Sequence, residues 1–208
     1  MTASFFVAFA TFFATVGVAD IAFIFAGLTR SYTARQRVVA ATRGVVIATA
    51  ILLFFAFVGN LILDVFGITL PALRVAGGIL LLLIAIDMVF ARHSGGTGTT
   101  TEEEAEGMTR EDISVFPLAM PLLAGAGSIS AVILFTTSAS SDMEFWVIVG
   151  ALVATLFLAW LALLVAIPIQ RLLGLTGMSV VTRVVGILLT ALAVQFIFDG
   201  VRESGVLG

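Results

Sequence analysis

Apolar residues in this chain gather into six long runs, at roughly 3–28, 44–63, 70–91, 113–138, 145–167 and 182–201, and not into short alternating patterns. The run from Phe145 to Ile167 carries no formal charge over 23 residues. At about 1.5 Å of rise per residue it exceeds the roughly 30 Å hydrocarbon thickness of a bilayer. Lipid offers no water to exposed backbone amides, so only helices or closed barrels cross it, and these runs lack the two-residue alternation of a barrel strand. The pattern predicts an all-α polytopic membrane protein of six transmembrane helices.

Composition supports the same reading, with 61% hydrophobic and 11% charged residues where soluble domains carry about 25% charged. Mean hydropathy is +1.21. The chain has no cysteine, which removes disulfides, thiolate metal sites and haem attachment. Its single histidine, His93, falls between the third and fourth runs, and neither an HExxH helix nor a GxSxG elbow occurs. An enzyme is therefore not expected, nor a cofactor, a metal centre or a nucleic-acid partner.

All ten basic residues are arginine. Arg30, Arg35, Arg37 and Arg43 follow the first run, Arg92 and Arg110 the third, and Arg171 and Arg183 the fifth, leaving only Arg74 and Arg202 for the other side. The positive-inside rule then places those three connections in the cytoplasm and both termini outside the cytoplasmic membrane. Between 92 and 112 the chain turns to Gly, Thr and Glu, including Glu102, Glu103, Glu104 and Glu106, the composition of a solvated linker. It separates 1–91 from 113–208, each with three runs. Arg74-Val-Ala-Gly-Gly-Ile-Leu-Leu in the third run answers Arg183-Val-Val-Gly-Ile-Leu-Leu in the sixth. Repeats with an odd number of spans must sit in opposite topology, so the fold expected is two inverted three-helix repeats, an arrangement suited to alternating access.

Four helix-disfavouring residues, Pro117, Pro121, Gly125 and Gly127, interrupt the fourth run. Proline removes an amide donor and clashes with the preceding turn, and each glycine costs about 1 kcal/mol relative to alanine. A broken or re-entrant segment follows, tolerated at membrane depth only inside protein or beside a polar cavity; a kink packed through its glycines is the competing reading. Asp20 lies deep in the first run. A lipid-facing charge there would cost at least about 2.5 kcal/mol, so its side chain is expected to face the bundle, either as a ligand or proton site or as a hydrogen bond between helices. Asn60, Thr15, Ser128, Ser130 and Gln195 offer hydrogen bonds to a polar solute or to neighbouring helices. Arg74, Asp87 and Arg183 are candidates for an ion pair or gate, with snorkelling to headgroups as the alternative for the two arginines.

Taken in order, four stretches resemble the MarC family of six-helix membrane proteins, related to SnatA-type small neutral amino acid transporters. They are Phe25-Ala-Gly-Leu-Thr29, Gly67-Ile-Thr-Leu-Pro-Ala-Leu-Arg-Val-Ala-Gly-Gly-Ile-Leu80, Phe116-Pro-Leu-Ala-Met-Pro-Leu-Leu-Ala-Gly-Ala-Gly127 and Val194-Gln-Phe-Ile-Phe-Asp-Gly200. Family members usually carry an Asn-Pro or Asp-Pro pair in the first helix, where this chain has Gly17 and Val18, and Gly-Pro-Gly where it has Gly125-Ala126-Gly127. The resemblance implies a secondary transporter of glycine- or alanine-like substrates, with H+ or Na+ as candidate coupling ions and a homo-oligomer compatible with it. Gly17, Asp20, Asn60, Gly125, Gly127, Ser128, Ser130 and Gln195 are the candidate substrate-binding residues. A zwitterion's carboxylate suits the amides of a half-helix N-terminus at Gly125 to Ser130, and its ammonium suits Asp20. A cation or proton channel, or a metal-ion carrier, built on Asp20 is the rival, although a divalent ion usually wants several oxygen ligands. A non-transporting scaffold is the third reading. Reporter fusions at the two termini are expected to read outside and a fusion within 93–112 to read cytoplasmic; a cytoplasmic N-terminus would reverse the assignment.

Overall fold

A computed structural model of the protein describes residues 2–29, 32–90 and 113–205. The linker expected at 92–112, with His93, lies outside the described residues. Within them every element is helical: α1 (Thr2–Val16), α2 (Val18–Leu28), α3 (Ala34–Phe66), α4 (Leu70–Phe90), α5 (Ser114–Leu123, of π type), α6 (Ala126–Thr137), α7 (Asp142–Leu164) and α8 (Ala166–Glu203).

Among the described residues five stretches are long and apolar enough to cross a membrane: Ser4–Leu28, Ala34–Phe66, Leu70–Phe90, Asp142–Leu164 and Arg183–Glu203. The fourth run is not a sixth of the same kind, because it divides into α5 with 10 residues and α6 with 12. Neither piece alone reaches across roughly 30 Å of hydrocarbon.

Local chemistry moves two boundaries away from the apolar runs. α3 begins at Ala34 and not near 44, because Thr33 and Gln36 form a capping box in which the Gln36 amide donates to Thr33 Oγ1 (3.3 Å) and the Thr33 amide to Gln36 Oε1 (2.8 Å). These bonds satisfy donors that a helix start leaves open. Arg35, Arg37 and Arg43 consequently stand on a helix. At its other end Gly67 adopts φ 65°, which suits glycine, and the Ile68 amide reaches back to the Leu63 carbonyl at 2.9 Å. α8 likewise starts at Ala166 and continues through Arg183, whereas the apolar run begins near 182.

Packing separates the helices into two bodies of unequal size. The larger core draws on α1, α2, α3, α5, α6 and α7, with Phe12, Phe25, Leu52, Leu118, Leu152 and Leu156 fully buried. The smaller joins Leu81, Ile84, Ala85 and Met88 of α4 to Leu189 and Ala193 of α8, together with Ala14 of α1. Phe54, Phe57, Phe157, Leu188 and Phe198 are exposed on the outside, as expected of side chains whose solvent is hydrocarbon. Helix pairings come in matched sets: α1 on α7 with α5 on α3, α2 on α7 with α6 on α3, and α2 on α8 with α6 on α4. The most extensive pairing of all is α4 with α8.

Glycine sets the closeness of that pairing. A Cβ placed on Gly78 would lie 2.8 Å from the Ala193 carbonyl, one on Gly186 would lie 2.9 Å from Met88 Cβ, and one on Gly200 would lie 2.8 Å from the Pro71 carbonyl. The partners run antiparallel, and van der Waals contact between backbones replaces the hydrophobic drive that lipid does not supply. Gly78→Leu is expected to cost about 3 kcal/mol or more by overpacking. Gly150→Leu, with nothing near its Cβ position, is expected to leave stability unchanged; thermal unfolding of both variants in detergent measures the difference.

Candidate functional site

The two interrupted runs are broken by different chemistry. In the first, Gly17 takes the left-handed conformation (φ 63°, ψ 45°) between α1 and α2, a geometry that costs an L side chain roughly 1–2 kcal/mol. Its own amide donates to the Ala14 carbonyl at 3.1 Å, and the ladder of α2 resumes with the Ile21 amide on the Gly17 carbonyl at 2.9 Å. In the fourth, Phe116 and Met120 are extended (φ −131°, ψ 126° and φ −137°, ψ 125°). Each precedes a proline, whose ring disfavours the helical region for the residue before it. The chain accommodates them in wide turns, with the Leu118 amide on the Ile113 carbonyl (3.1 Å) and the Ala124 amide on the Ala119 carbonyl (2.9 Å). The Phe116–Pro117 bond is cis. Helix α6 then starts afresh after Gly125 (φ −78°, ψ 173°).

Both half-helices, α2 and α6, begin without a side-chain cap at glycine. The amides ahead of the first intrahelical bond, Ile129 to Gly125 in α6 at 3.0 Å, have no acceptor in the helix itself and carry its positive dipole end. The third helical residue is polar in each case: Asp20 in α2 and Ser128 in α6. Asp20 is half-buried. Ser128 is 1% exposed, and its hydroxyl has no hydrogen-bond partner.

That hydroxyl stands out against its neighbours. Thr11, Thr29, Thr136 and Thr155, all buried, donate to carbonyls four residues back in their own helices at 2.7–2.9 Å, the usual way for a hydroxyl to be satisfied away from water. Thr137 Oγ1 is also without a partner, at the far end of α6. Ser128 instead lies in the first turn, where open amides point the same way.

Both breaks lie beside the α4–α8 pair. Gly127 packs against Ile84, and Ala14, one turn before Gly17, joins the cluster that contains Ile84, Leu81 and Ala193. Leu81 and Ile84 lie near the middle of α4, and Ala193 near the middle of the Arg183–Glu203 span. Gly125 and Gly127 are buried and Ser130 is half-buried.

The remaining candidates from the sequence lie on α1, α3, α4 and α8. Asn60 is exposed on α3, beside Gly59, which faces Ile133 of α6. Gln195 is exposed on α8, where its amide donates to Asp199 Oδ1 at 3.0 Å. Thr15 Oγ1 donates to the Phe12 carbonyl at 3.3 Å. Asp87 is half-buried on α4 and Arg183 exposed on α8. Arg74 forms an ion pair with Glu203, joining the ends of α4 and α8. Nothing in the sequence points from Arg74 to Glu203, and only the antiparallel pairing brings the two together. The shared offset of Asp20 and Ser128 from their glycines was available in the sequence, three residues after Gly17 and Gly125, but it acquires meaning only once both glycines are known to start helices. Among the described residues no three His, Asp or Glu side chains gather in a way that could hold a metal ion.

Apolar helices long enough to cross a bilayer, packed about two interrupted runs, define a multi-pass integral membrane protein. The chain belongs to the MarC family: the profile described as MarC family integral membrane protein matches residues 2–204. Among similar curated proteins, a UPF0056 membrane protein of Methanocaldococcus jannaschii is 38% identical over 200 residues, covering 96% of this chain and 97% of the relative. The UPF0056 membrane protein YhcE of Escherichia coli is 34% identical over 190 residues, or 91% and 88%, and YvbG of Bacillus subtilis 34% over 179, or 86% and 85%. No solved structure matches the chain.

The break at Gly17 is testable by conformation alone, because a Cβ there would meet nothing within 4 Å. Gly17→Ala is expected to lower stability by roughly 1–2 kcal/mol, and Gly17→Asn, which tolerates the left-handed region better, to recover most of it. Thermal midpoints in detergent read both.

Proposed function

We propose that the protein is a secondary transporter that moves small neutral amino acids of the glycine and alanine type across the cytoplasmic membrane by alternating access. The observation that carries this reading is the pair of uncapped half-helices beside the α4–α8 pair, with the Ser128 hydroxyl buried and unpartnered in the first turn of α6. Discontinuous helices whose N-termini face the membrane interior supply fixed partial positive charge to an anionic group without the desolvation cost of a buried cation. In this reading the substrate carboxylate takes the α6 amides and the Ser128 hydroxyl, and its ammonium takes the Asp20 carboxylate. Gly17, Gly125, Gly127 and Ser130 form the adjoining backbone. Ile84 against Gly127 closes the space beside the α6 terminus, which favours a substrate with a hydrogen or methyl side chain.

Two inverted repeats, 1–91 and 113–208, joined by a cytoplasmic linker at 92–112, complete the proposal, with both termini outside. The matched helix pairings support it: exchanging the first, second and third runs for the fourth, fifth and sixth converts each pairing in the sets above into its counterpart. Alternating access then consists of one bundle moving against another about the central site. A proton or Na+ is the coupling ion, and Asp20 is the residue through which it acts.

Counterflow of radiolabelled alanine and glycine in proteoliposomes tests the reading. The unaltered protein is expected to exchange both. Ser128→Ala, which removes one hydrogen bond, is expected to raise the half-saturation concentration up to about tenfold. Asp20→Asn is expected to abolish exchange while the protein stays inserted and monodisperse. Absence of counterflow in well-inserted protein, or unchanged exchange by Asp20→Asn, overturns it.

A further inference from the structure

A second polar feature lies away from the helix breaks, where α2 ends, α3 begins and α7 gives way to α8. A cavity of about 230 Å³ opens there, walled by Phe25, Val38, Leu163, Leu164 and Ile167, with Arg37 the charged residue in its lining. The arginine is half-buried, in contrast to the exposed Arg35 two residues earlier. Its Nε donates to the Thr29 carbonyl at 3.1 Å, and Thr29, itself buried, closes the C-terminus of α2. The same carbonyl also accepts from the Tyr32 amide at 3.1 Å, and the two bonds together hold it and fix the plane of the guanidinium. The terminal nitrogens keep their donors, arranged as a fork that matches two oxygens of one anion. Among the described residues no carboxylate pairs with Arg37.

Depth gives the cavity its character. Helix α7 has 23 residues, enough to cross the hydrocarbon and little more, so Leu163 and Leu164 mark the hydrocarbon boundary. One wall of the cavity is thus at acyl-chain level, and the other carries a fixed, half-buried cation at headgroup level. An occupant matching both walls is anionic at one end and apolar at the other. The exposed Arg35, two residues before Arg37 on the same helix, adds to the positive field at this end, which attracts anionic headgroups.

We propose that this cleft is a binding site for an anionic phospholipid, with the phosphate on the Arg37 fork and the first acyl carbons against Phe25, Val38, Leu163, Leu164 and Ile167. Basic pockets between transmembrane helices at the membrane boundary hold headgroups in this way. The site is independent of the transport reading, since it uses none of the residues at the helix breaks.

Native mass spectrometry of the full, delipidated chain in detergent tests it, with phosphatidylglycerol and phosphatidylcholine of identical acyl chains as probes. Both lipids present a phosphate to Arg37, but phosphatidylcholine also brings a quaternary ammonium into the positive field of Arg37 and Arg35, so phosphatidylglycerol is expected to be retained about tenfold more strongly. Arg37→Gln is expected to abolish that preference, and Arg35→Gln to keep it. Ile167→Trp, which fills the apolar wall and leaves the arginine in place, is expected to weaken retention of phosphatidylglycerol, and decides the matter if Arg37→Gln is not monodisperse. Equal retention of the two lipids, an unchanged preference in Arg37→Gln, or undiminished retention in Ile167→Trp overturns the proposal. Displacement of phosphatidylglycerol by inorganic phosphate would make this a site for free anions, and displacement by glycine would make it part of a substrate route; either also overturns it.

Discussion

Backbone amides and carbonyls must be satisfied without water wherever this chain passes through lipid, and that constraint orders the rest of the structure. Regular helix meets it over most of the length. Where proline and glycine prevent regular helix, the chain meets it with i→i+5 turns around Phe116 and Met120 and with a left-handed glycine at position 17. Such irregular backbone is tolerated at depth only when protein surrounds it. The surrounding helices do so: α3 and α2 contact α5, α3 and α4 contact α6, and the buried Leu118 and Leu123 of α5 lie in the larger core. What remains open after this shielding is the first turn of each half-helix, and there the polar residues Asp20 and Ser128 stand. The proposed site and the fold therefore have one origin.

Much of this was legible in the sequence, because lipid simplifies the code. Six apolar runs, the two prolines of the fourth and the depth of Asp20 follow directly from lengths and residue types. Family resemblance drew attention to Gly17, whose lone glycine would not by itself have identified a left-handed break. Less legible were features fixed by contact between distant segments. The start of α3 at Ala34 depends on a reciprocal bond between Thr33 and Gln36, which an apolar-run reading passes over because the first turns of α3 are polar. Glu203 as the partner of Arg74 depends on the antiparallel pairing of α4 with α8. Gln195 is polar inside an apolar run, and its amide donates to Asp199 one turn further along the same helix. A polar residue in a membrane helix announces a need for a partner and does not say which one.

The close contact of α4 and α8 also governs how the two can move. Gly78, Gly186 and Gly200 each sit opposite a particular stretch of the other helix, at Ala193 and Ile197, at Met88 and Val89, and at Pro71 and Val75. Sliding one helix past the other by a turn, about 5.4 Å, would carry all three glycines off their partners and drive side-chain-bearing positions into spaces with no room for a Cβ. Pistons are thereby ruled out between these two helices. Close contact at three points along their length makes the pair one stiff piece, so that a force turning one helix acts on the other as well.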